Sequence, residues 1–233
     1  MQRGPVIRGV QLVQVPKTGG TRWLTHLDAT VDAAYAAAVA PIVPLVERSL
    51  LPTVVANRVQ EITRDPPSIR LEGWQQARRR FRGMVADLAP GSGAILLADV
   101  RSCYAEIGAQ TVGSALQRLG CRAREVRSVL TAVRTFGTHG VKGLPIGPAP
   151  SAVLANAVLA EVDERLSAGG YRHVRWVDDV MVFADGAPSA ESALRVLERT
   201  LAALGLRLAE EKTRLLDTPE AMCSAGAGPS SCA

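Results

Sequence analysis

Residues 175–183 read RWVDDVMVF, an aspartate pair set between two short apolar stretches. Aspartate is a poor strand former and resists burial, so the pair interrupts what is otherwise strand sequence. Two readings account for it. One is a tight turn whose carboxylates simply face water; the other is a metal site at the tip of a β-hairpin. The flanking stretches YRHVRWV and VMVFADG both have strand composition, which places Asp178 and Asp179 in the connection between two strands.

Further upstream, a carboxylate again ends an apolar run. PGSG (residues 90–93) ends a helical stretch, and AILLADV (94–100) follows it. That nearly continuous apolar run has the pattern of a buried strand, and it ends in Asp99. If the three strands are neighbours in one sheet, Asp99, Asp178 and Asp179 meet at one edge. Clustered carboxylates repel one another and destabilise the fold unless a divalent cation sits among them. Hard oxygen donors of this kind suit Mg²⁺, which takes substrate phosphate oxygens as further ligands. Two such ions ~3.5–4 Å apart form the clamp used for in-line phosphoryl or nucleotidyl transfer.

The rest of the chain supplies a mixed background. VIRGVQLVQVPKTGGTRWLTHLD alternates, turns at Thr18-Gly19-Gly20 and resumes, predicting a hairpin. From Ala29 to about Val59 an Ala/Val/Leu-rich stretch reads as helical, punctuated by Pro41, Pro44 and Pro52, and RDPP (64–67) reads as a loop. GWQQARRRFRGMVADL (73–88) reads as a basic helix with Trp74, Ala77, Phe81, Met84 and Val85 on one face. Helical patterns follow over 110–119 and 123–136, then a Gly/Pro-rich loop over 138–150. A strong helix is expected to start from Ser151 as N-cap. ESALRVLERTLAALGL places Leu194, Leu197, Leu201 and Leu204 at helical spacing, with Gly205 as a stop, and RLAEEKTRLLD reads as a last strand. The tail, residues 218–233, is small, polar and glycine-rich, and is expected to be disordered. The predicted class is therefore α+β, an antiparallel sheet backed by helices.

Bulk properties narrow the class further. The 233-residue chain is 47% hydrophobic and 21% charged, ordinary globular composition that argues against wholesale disorder. A net charge of +5 is compatible with a polyanionic partner without establishing one. Cys103, Cys121, Cys223 and Cys232 lack zinc-type spacing and read as reduced thiols of a cytoplasmic protein. The apolar stretch AAYAAAVAPIVPLV, about 14 residues with two prolines, reads as too short and broken for a membrane span, so no membrane partner is expected.

With the motifs in order, the sequence resembles a reverse transcriptase, an RNA-directed DNA polymerase, over roughly residues 10–217. LLADVRSCYAEI resembles the first catalytic-aspartate motif. GLPIGPAPSAVLANAVLAEVDERL is similar to the loop and helix under the template and incoming nucleotide, and RWVDDVMVFADG to the catalytic hairpin. ALRVLERTLAALGLRLAEEKTRLL resembles the helix and strand that follow it, and VPKTGGTR the fingers segment. The resemblance implies a right-hand polymerase, with a fingers-like region over 1–93 and a palm over 94–217. It also implies a divalent cofactor, Mg²⁺ or Mn²⁺, held by Asp99, the Val100 carbonyl, Asp178 and, more weakly, Asp179.

The same resemblance assigns the remaining roles. Tyr104 would be a ring that excludes a 2′-hydroxyl, with a core tyrosine as the alternative. Lys17 and Arg22 would meet the triphosphate, or else belong to a solvated hairpin tip. Lys212 would protonate the leaving pyrophosphate, or else be a helix-capping or surface lysine. Gly143, Pro145, Ile146 and Gly147 would line the nucleotide, the glycines by letting backbone approach it. Arg78, Arg79 and Arg80 could reach phosphates, against the default of a solvated helix face. His26, His139 and His173 receive no catalytic role.

Three departures from the family stand out: Ile146 in place of a glutamine, Trp176 in place of a tyrosine or phenylalanine, and little sequence after Asp217 for a helical thumb. The short sequence after Asp217, together with GLPIGP, resembles the bacterial reverse transcriptases linked to phage defence. The expected partners are dNTPs, RNA and DNA, with a partner protein, a structured RNA or self-association replacing the thumb. Synthesis could be RNA-directed, untemplated or protein-primed. The rival readings are a retired polymerase fold that binds nucleic acid or a partner, and an RNA polymerase of the same architecture.

Overall fold

The computed structural model describes residues 3–7, 9–17 and 20–216. Thr18 and Gly19 of the predicted turn lie outside the described residues, as do Cys223, Cys232 and the 218–233 tail. The chain forms two units that interleave along the sequence. One comprises Met1–Ser49, Asn57–Leu71 and Tyr104–Val158; the other comprises Leu50–Ala56, Glu72–Cys103 and Leu159–Ala233. This differs from the contiguous division at residues 93 and 94 expected from the sequence. Composition along a chain cannot show which distant segments return to pack together.

In the first unit, β1 (Arg3–Ile7), β2 (Val10–Lys17) and β3 (Gly20–Leu27) form an antiparallel sheet in that order. Helix α1 (Ala29–Val39) starts where the Asp28 carboxylate accepts from the Val31 N–H at 2.8 Å, supplying one of the bonds that a helix start lacks. A 3₁₀ turn (Ala40–Ile42) and α2 (Val43–Ser49) continue it. The run Ala29–Ser49 is 21 residues with mean hydropathy 1.6, longer than its 14-residue apolar stretch implied and enough by length and composition alone to cross a membrane. Here it buries Tyr35, Val39, Ile42, Val43 and Val46 inside the protein.

The expected continuation of helix to Val59 does not form. Instead β4 (Val59–Arg64) and β5 (Pro67–Leu71) make a hairpin around the RDPP stretch. Helices α4 (Cys103–Glu106), α5 (Ala109–Arg118) and α6 (Ala123–Thr138) follow the third sheet strand described below, and Phe136 of α6 meets Tyr35 edge-on at 4.8 Å. Helix α7 (Ala149–Ala168) starts before Ser151, which is therefore not its N-cap. Pro150 is tolerated in a first turn, where its missing N–H is no loss. The Ser151 hydroxyl is buried against Tyr35 Oη at 3.1 Å. The Tyr35 hydroxyl is pushed up by burial, although the bond to Ser151 opposes the shift.

The second unit carries a four-stranded sheet. β6 (Ala94–Asp99), β7 (Arg172–Trp176), β8 (Asp179–Ala184) and β9 (Arg214–Leu216) lie in the order β7-β8-β6-β9, every pair antiparallel. Alternation along the strands puts Ile95, Val174, Trp176, Met181 and Phe183 into one apolar cluster with Ala77 and Phe81 of α3 (Trp74–Leu88). Phe81 meets Trp176 edge-on at 5.6 Å, a contact worth ~0.5–1.5 kcal/mol beyond burial. Trp176, at the position where the family has a tyrosine or phenylalanine, is thus a core residue. Trp74 on the same helix is 57% exposed and instead lies against Arg78. Helix α8 (Ala187–Ala203) packs on β6 and β8, giving the helix-backed antiparallel sheet expected from the sequence.

Candidate active site

The register of β6 and β8 pairs Asp99 directly with Asp179. Side chains of directly paired residues leave the same face, so the two carboxylates are neighbours for geometric reasons alone. Asp178 lies in the two-residue connection between β7 and β8, since Trp176 pairs with Asp179. All three carboxylates belong to the second unit.

The connection itself is strained. Val177, its first residue, has φ +56°, a left-handed conformation that a β-branched side chain strongly disfavours. A positive φ at the first central position belongs to the primed hairpin turns, where glycine or asparagine is the usual occupant. Such a residue costs on the order of 1–3 kcal/mol and persists only where its surroundings hold it. Two carbonyls of the turn are held: the Arg175 Nη1 donates to the Val177 carbonyl at 2.7 Å, and the Val100 N–H donates to the Asp178 carbonyl at 3.1 Å. Val100 is itself buried, following Asp99 directly, and the Asp99 carbonyl accepts from the Ala209 N–H at 2.8 Å.

The site is short of positive charge. Burial, the charges of Asp178 and Asp99 and a hydrogen bond with Asp99 push the Asp179 carboxyl up to about 7, with Lys212 opposing the shift. The Lys212 Nζ donates to Asp99 Oδ2 at 2.7 Å, which makes this lysine the counter-ion of the carboxylates and not a helix cap. Burial alone would lower the Lys212 ammonium, but its bond to Asp99 and the three aspartate charges raise it. Buried Cys103 is pushed up by burial and by Asp178 and Asp99, so its thiol stays protonated and takes no part as a nucleophile.

Among the described residues, no three Asp, Glu, His or Cys side chains stand around a common point as a bound ion requires. The donor chemistry nevertheless fits a hard divalent cation. Three carboxylates crowd one strand edge, one of them is raised well above the usual carboxylate range, and an ammonium is already drawn in.

Apart from Val100, the nucleotide-binding candidates belong to the first unit. Tyr104 lies on α4, half-buried, and its hydroxyl accepts from Asn57 Nδ2 at 3.4 Å. The Tyr104 carbonyl accepts from the Leu144 N–H at 2.8 Å. Gly143 has φ +66°, and a Cβ there would stand 2.3 Å from that carbonyl. The backbone approach that demands glycine at 143 is therefore to the protein's own α4. Pro145 is buried beside it, and the Ile146 carbonyl accepts from the Thr25 N–H at 2.7 Å, which ties the loop to β3. Gly147 follows with φ +124°, and a Cβ there would meet the Thr25 carbonyl at 3.3 Å. Arg22 is half-buried on the same strand, and Lys17 ends β2, its side chain lying outside the described residues. On α3 of the second unit, Arg80 is committed to Glu72 and to the Val55 carbonyl at 2.8 Å, whereas Arg79 is exposed.

One cluster escaped the sequence reading. Arg175, Asp163 and His173 are all buried, with Arg175 Nε and Nη2 donating to Asp163 at 3.0 and 2.7 Å. His173 Nε2 lies 3.4 Å from Asp163 Oδ1 and 3.3 Å from Thr53 Oγ1. The available signal was an arginine inside a strand pattern and an aspartate inside an apolar helix, each a charge where burial was expected.

Comparison with known proteins adds the family and the fold. The family model described as reverse transcriptase (RNA-dependent DNA polymerase) matches residues 44–222. No curated protein matches the sequence. Among solved structures, the fold is similar to apo telomerase from Candida tropicalis, with TM-score 0.53 and 11% identity over 92% of this chain and 45% of that one. It is also similar to telomerase from Candida albicans in complex with a TWJ fragment of telomeric RNA, with TM-score 0.51 and 10% identity over 88% of this chain and 41% of that one. The chain thus spans less than half the length of these telomerases, and at such identities the likeness concerns the fold alone. Since the family model covers well over half of the sequence and takes in Asp99, Asp178 and Asp179, the chain belongs to the reverse transcriptase family.

Proposed function

We propose that the protein is an RNA-directed DNA polymerase that adds dNTPs to a growing strand, with Asp99, Asp178 and Asp179 as its catalytic carboxylates. The observation that carries this reading is the pairing of Asp99 with Asp179 beside Asp178, a charge cluster with the Asp179 carboxyl pushed up to about 7. Perturbed groups of this kind concentrate at functional sites because the fold alone gains nothing from them. The Asp99, Asp178 and Asp179 carboxylates and the Val100 carbonyl would hold Mg²⁺ or Mn²⁺, which when bound stabilises the attacking and leaving oxygens of an in-line displacement.

The protein's own groups divide the remaining work. Lys212, kept charged by the aspartates, is a proton donor for departing pyrophosphate once it leaves Asp99. Arg22 and Lys17 supply charge for the triphosphate. Tyr104, fixed by Asn57 and by the Leu144 N–H, is a ring selective against a 2′-hydroxyl. The antiphage role implied by the GLPIGP loop belongs to this proposal on resemblance alone.

The deciding experiment measures incorporation of labelled dNTPs by purified protein with Mg²⁺, with and without a primed RNA template, beside Asp178→Ala. Template-dependent product that disappears in the variant is the expected result. Product without template would point to untemplated or protein-primed synthesis. Full activity in a folded Asp178→Ala protein would refute the carboxylate assignment, and no product in either protein would leave two readings, a missing partner or a retired fold. Tyr104→Ala is expected to accept ribonucleotides better than wild type, and an unchanged sugar preference would remove Tyr104 from the site.

A further inference from the structure

We propose that Arg175 is a positioning residue for the catalytic tip. Seated on buried Asp163, its guanidinium grips the Val177 carbonyl and thereby holds the strained turn that aims Asp178 and Asp179. The inference rests on the reading of those carboxylates as the metal-holding groups.

The geometry leaves the guanidinium little freedom. Its Nε and Nη2 donate to the Asp163 carboxylate, and the remaining Nη1 donates to Val177 at 2.7 Å. Because the guanidinium is planar and rigid, fixing one edge on Asp163 fixes the direction in which Nη1 points. The arm also begins from a fixed base: the Arg175 N–H donates to the Thr53 carbonyl at 2.9 Å, and the Arg175 carbonyl accepts from the Val55 N–H at 3.1 Å. Asp163 is fixed in turn by His173, so Arg175 is held along its whole length. Burial alone would raise the Asp163 carboxyl, but the Arg175 charge and the bonds from His173 and Arg175 hold it below the usual carboxylate range.

A buried ion pair by itself is weak evidence of a stabilising role, because well-packed apolar side chains often serve as well. What the apolar pair cannot supply is the donor to Val177. That donor is aimed at the residue whose left-handed φ sets the direction of the chain immediately before Asp178. The next carbonyl, of Asp178, is tied to Val100 beside Asp99. The turn is therefore pinned on one side to the ion pair and on the other to the strand bearing the third carboxylate.

The test uses two variants that keep the interior balanced. Arg175→Lys keeps a charge on Asp163 but cannot both pair with it and reach Val177 with a fixed fork. The double variant Asp163→Leu with Arg175→Met removes both charges together. Mn²⁺ binding, followed by electron paramagnetic resonance, provides a readout independent of turnover. Both variants are expected to unfold cooperatively and to bind Mn²⁺ roughly 10–100-fold more weakly than wild type. The half-saturating Mg²⁺ concentration for incorporation should rise in parallel while KM for the dNTP changes little.

Asp178→Ala is the control that separates this inference from the one beneath it. If Asp178→Ala loses Mn²⁺ binding while both folded Arg175 variants retain wild-type affinity, the positioning role is overturned and the metal reading stands. If Asp178→Ala binds Mn²⁺ as wild type does, the metal reading fails and this inference fails with it. Loss of cooperative unfolding in both Arg175 variants would also overturn it, leaving the pair as a folding element only.

Discussion

Asp163 and Asp179 belong to the same unit, and burial moves the carboxyls of both in the same direction, yet their neighbours take them to opposite ends. Asp163 faces Arg175 and His173, and its charge is held more firmly than in water. Asp179 faces Asp178 and Asp99, with Lys212 as the opposing cation, and its charge is resisted until about pH 7. The first cluster is self-sufficient, with its charges answered inside the protein. The second sets three carboxylates close together, and their mutual repulsion raises the Asp179 carboxyl.

The sharpest break between the two clusters should come from removing one carboxylate from each. Asp178→Ala takes away a repulsive charge, so its unfolding midpoint should match or exceed that of wild type, while incorporation falls roughly a thousandfold or more. Asp163→Ala should do the reverse to the fold. It leaves the Arg175 guanidinium buried without its partner and should cost ~3–5 kcal/mol in urea unfolding. A destabilised Asp178→Ala, or a fully stable Asp163→Ala, would erase the distinction.

Lys212 gives a smaller and more discriminating test. Its side chain is 36% exposed, so solvent screens its pairing with Asp99, and Lys212→Gln should change stability by less than about 1 kcal/mol. If the lysine also serves as a proton donor, incorporation should fall roughly a hundredfold at saturating dNTP. A variant that loses neither would leave Lys212 as a counter-ion alone.

The features that sequence could reveal were those that break a pattern. Asp99, Asp178 and Asp179 stand out because each interrupts apolar strand sequence, and the strands around them, AILLADV and VMVFADG, form where composition predicts. The β4–β5 hairpin was missed because VQEITR and PSIRL carry few apolar residues and flank a proline-rich stretch that reads as a loop. Ser151 has the right chemistry for a cap, and only the tertiary contact with Tyr35 shows that it is spent in the core. The Arg175–Asp163 pair joins a strand to a helix, and no spacing rule links an arginine in one to an aspartate in the other. The interleaved units have the same cause: they are set by long-range packing, to which a linear pattern is blind.

The finest test of the comparison is the pH dependence of the self-sufficient cluster. The Asp163 carboxyl is held below its ordinary value of 3.8 in the folded protein, whereas in the unfolded chain it recovers that ordinary value. Above the unfolded value both states are ionised, and the pairing contributes its full stability. As pH falls through it, the unfolded chain takes up a proton that the folded protein still refuses, so stability declines until the folded carboxyl is protonated too. Urea midpoints measured from about pH 5 down to about pH 3 should therefore fall less steeply for Asp163→Asn than for wild type, on top of the variant's lower starting stability. Equal slopes would mean that Asp163 retains no unusual hold on its charge, and that the two clusters differ in composition without differing in their response to protons.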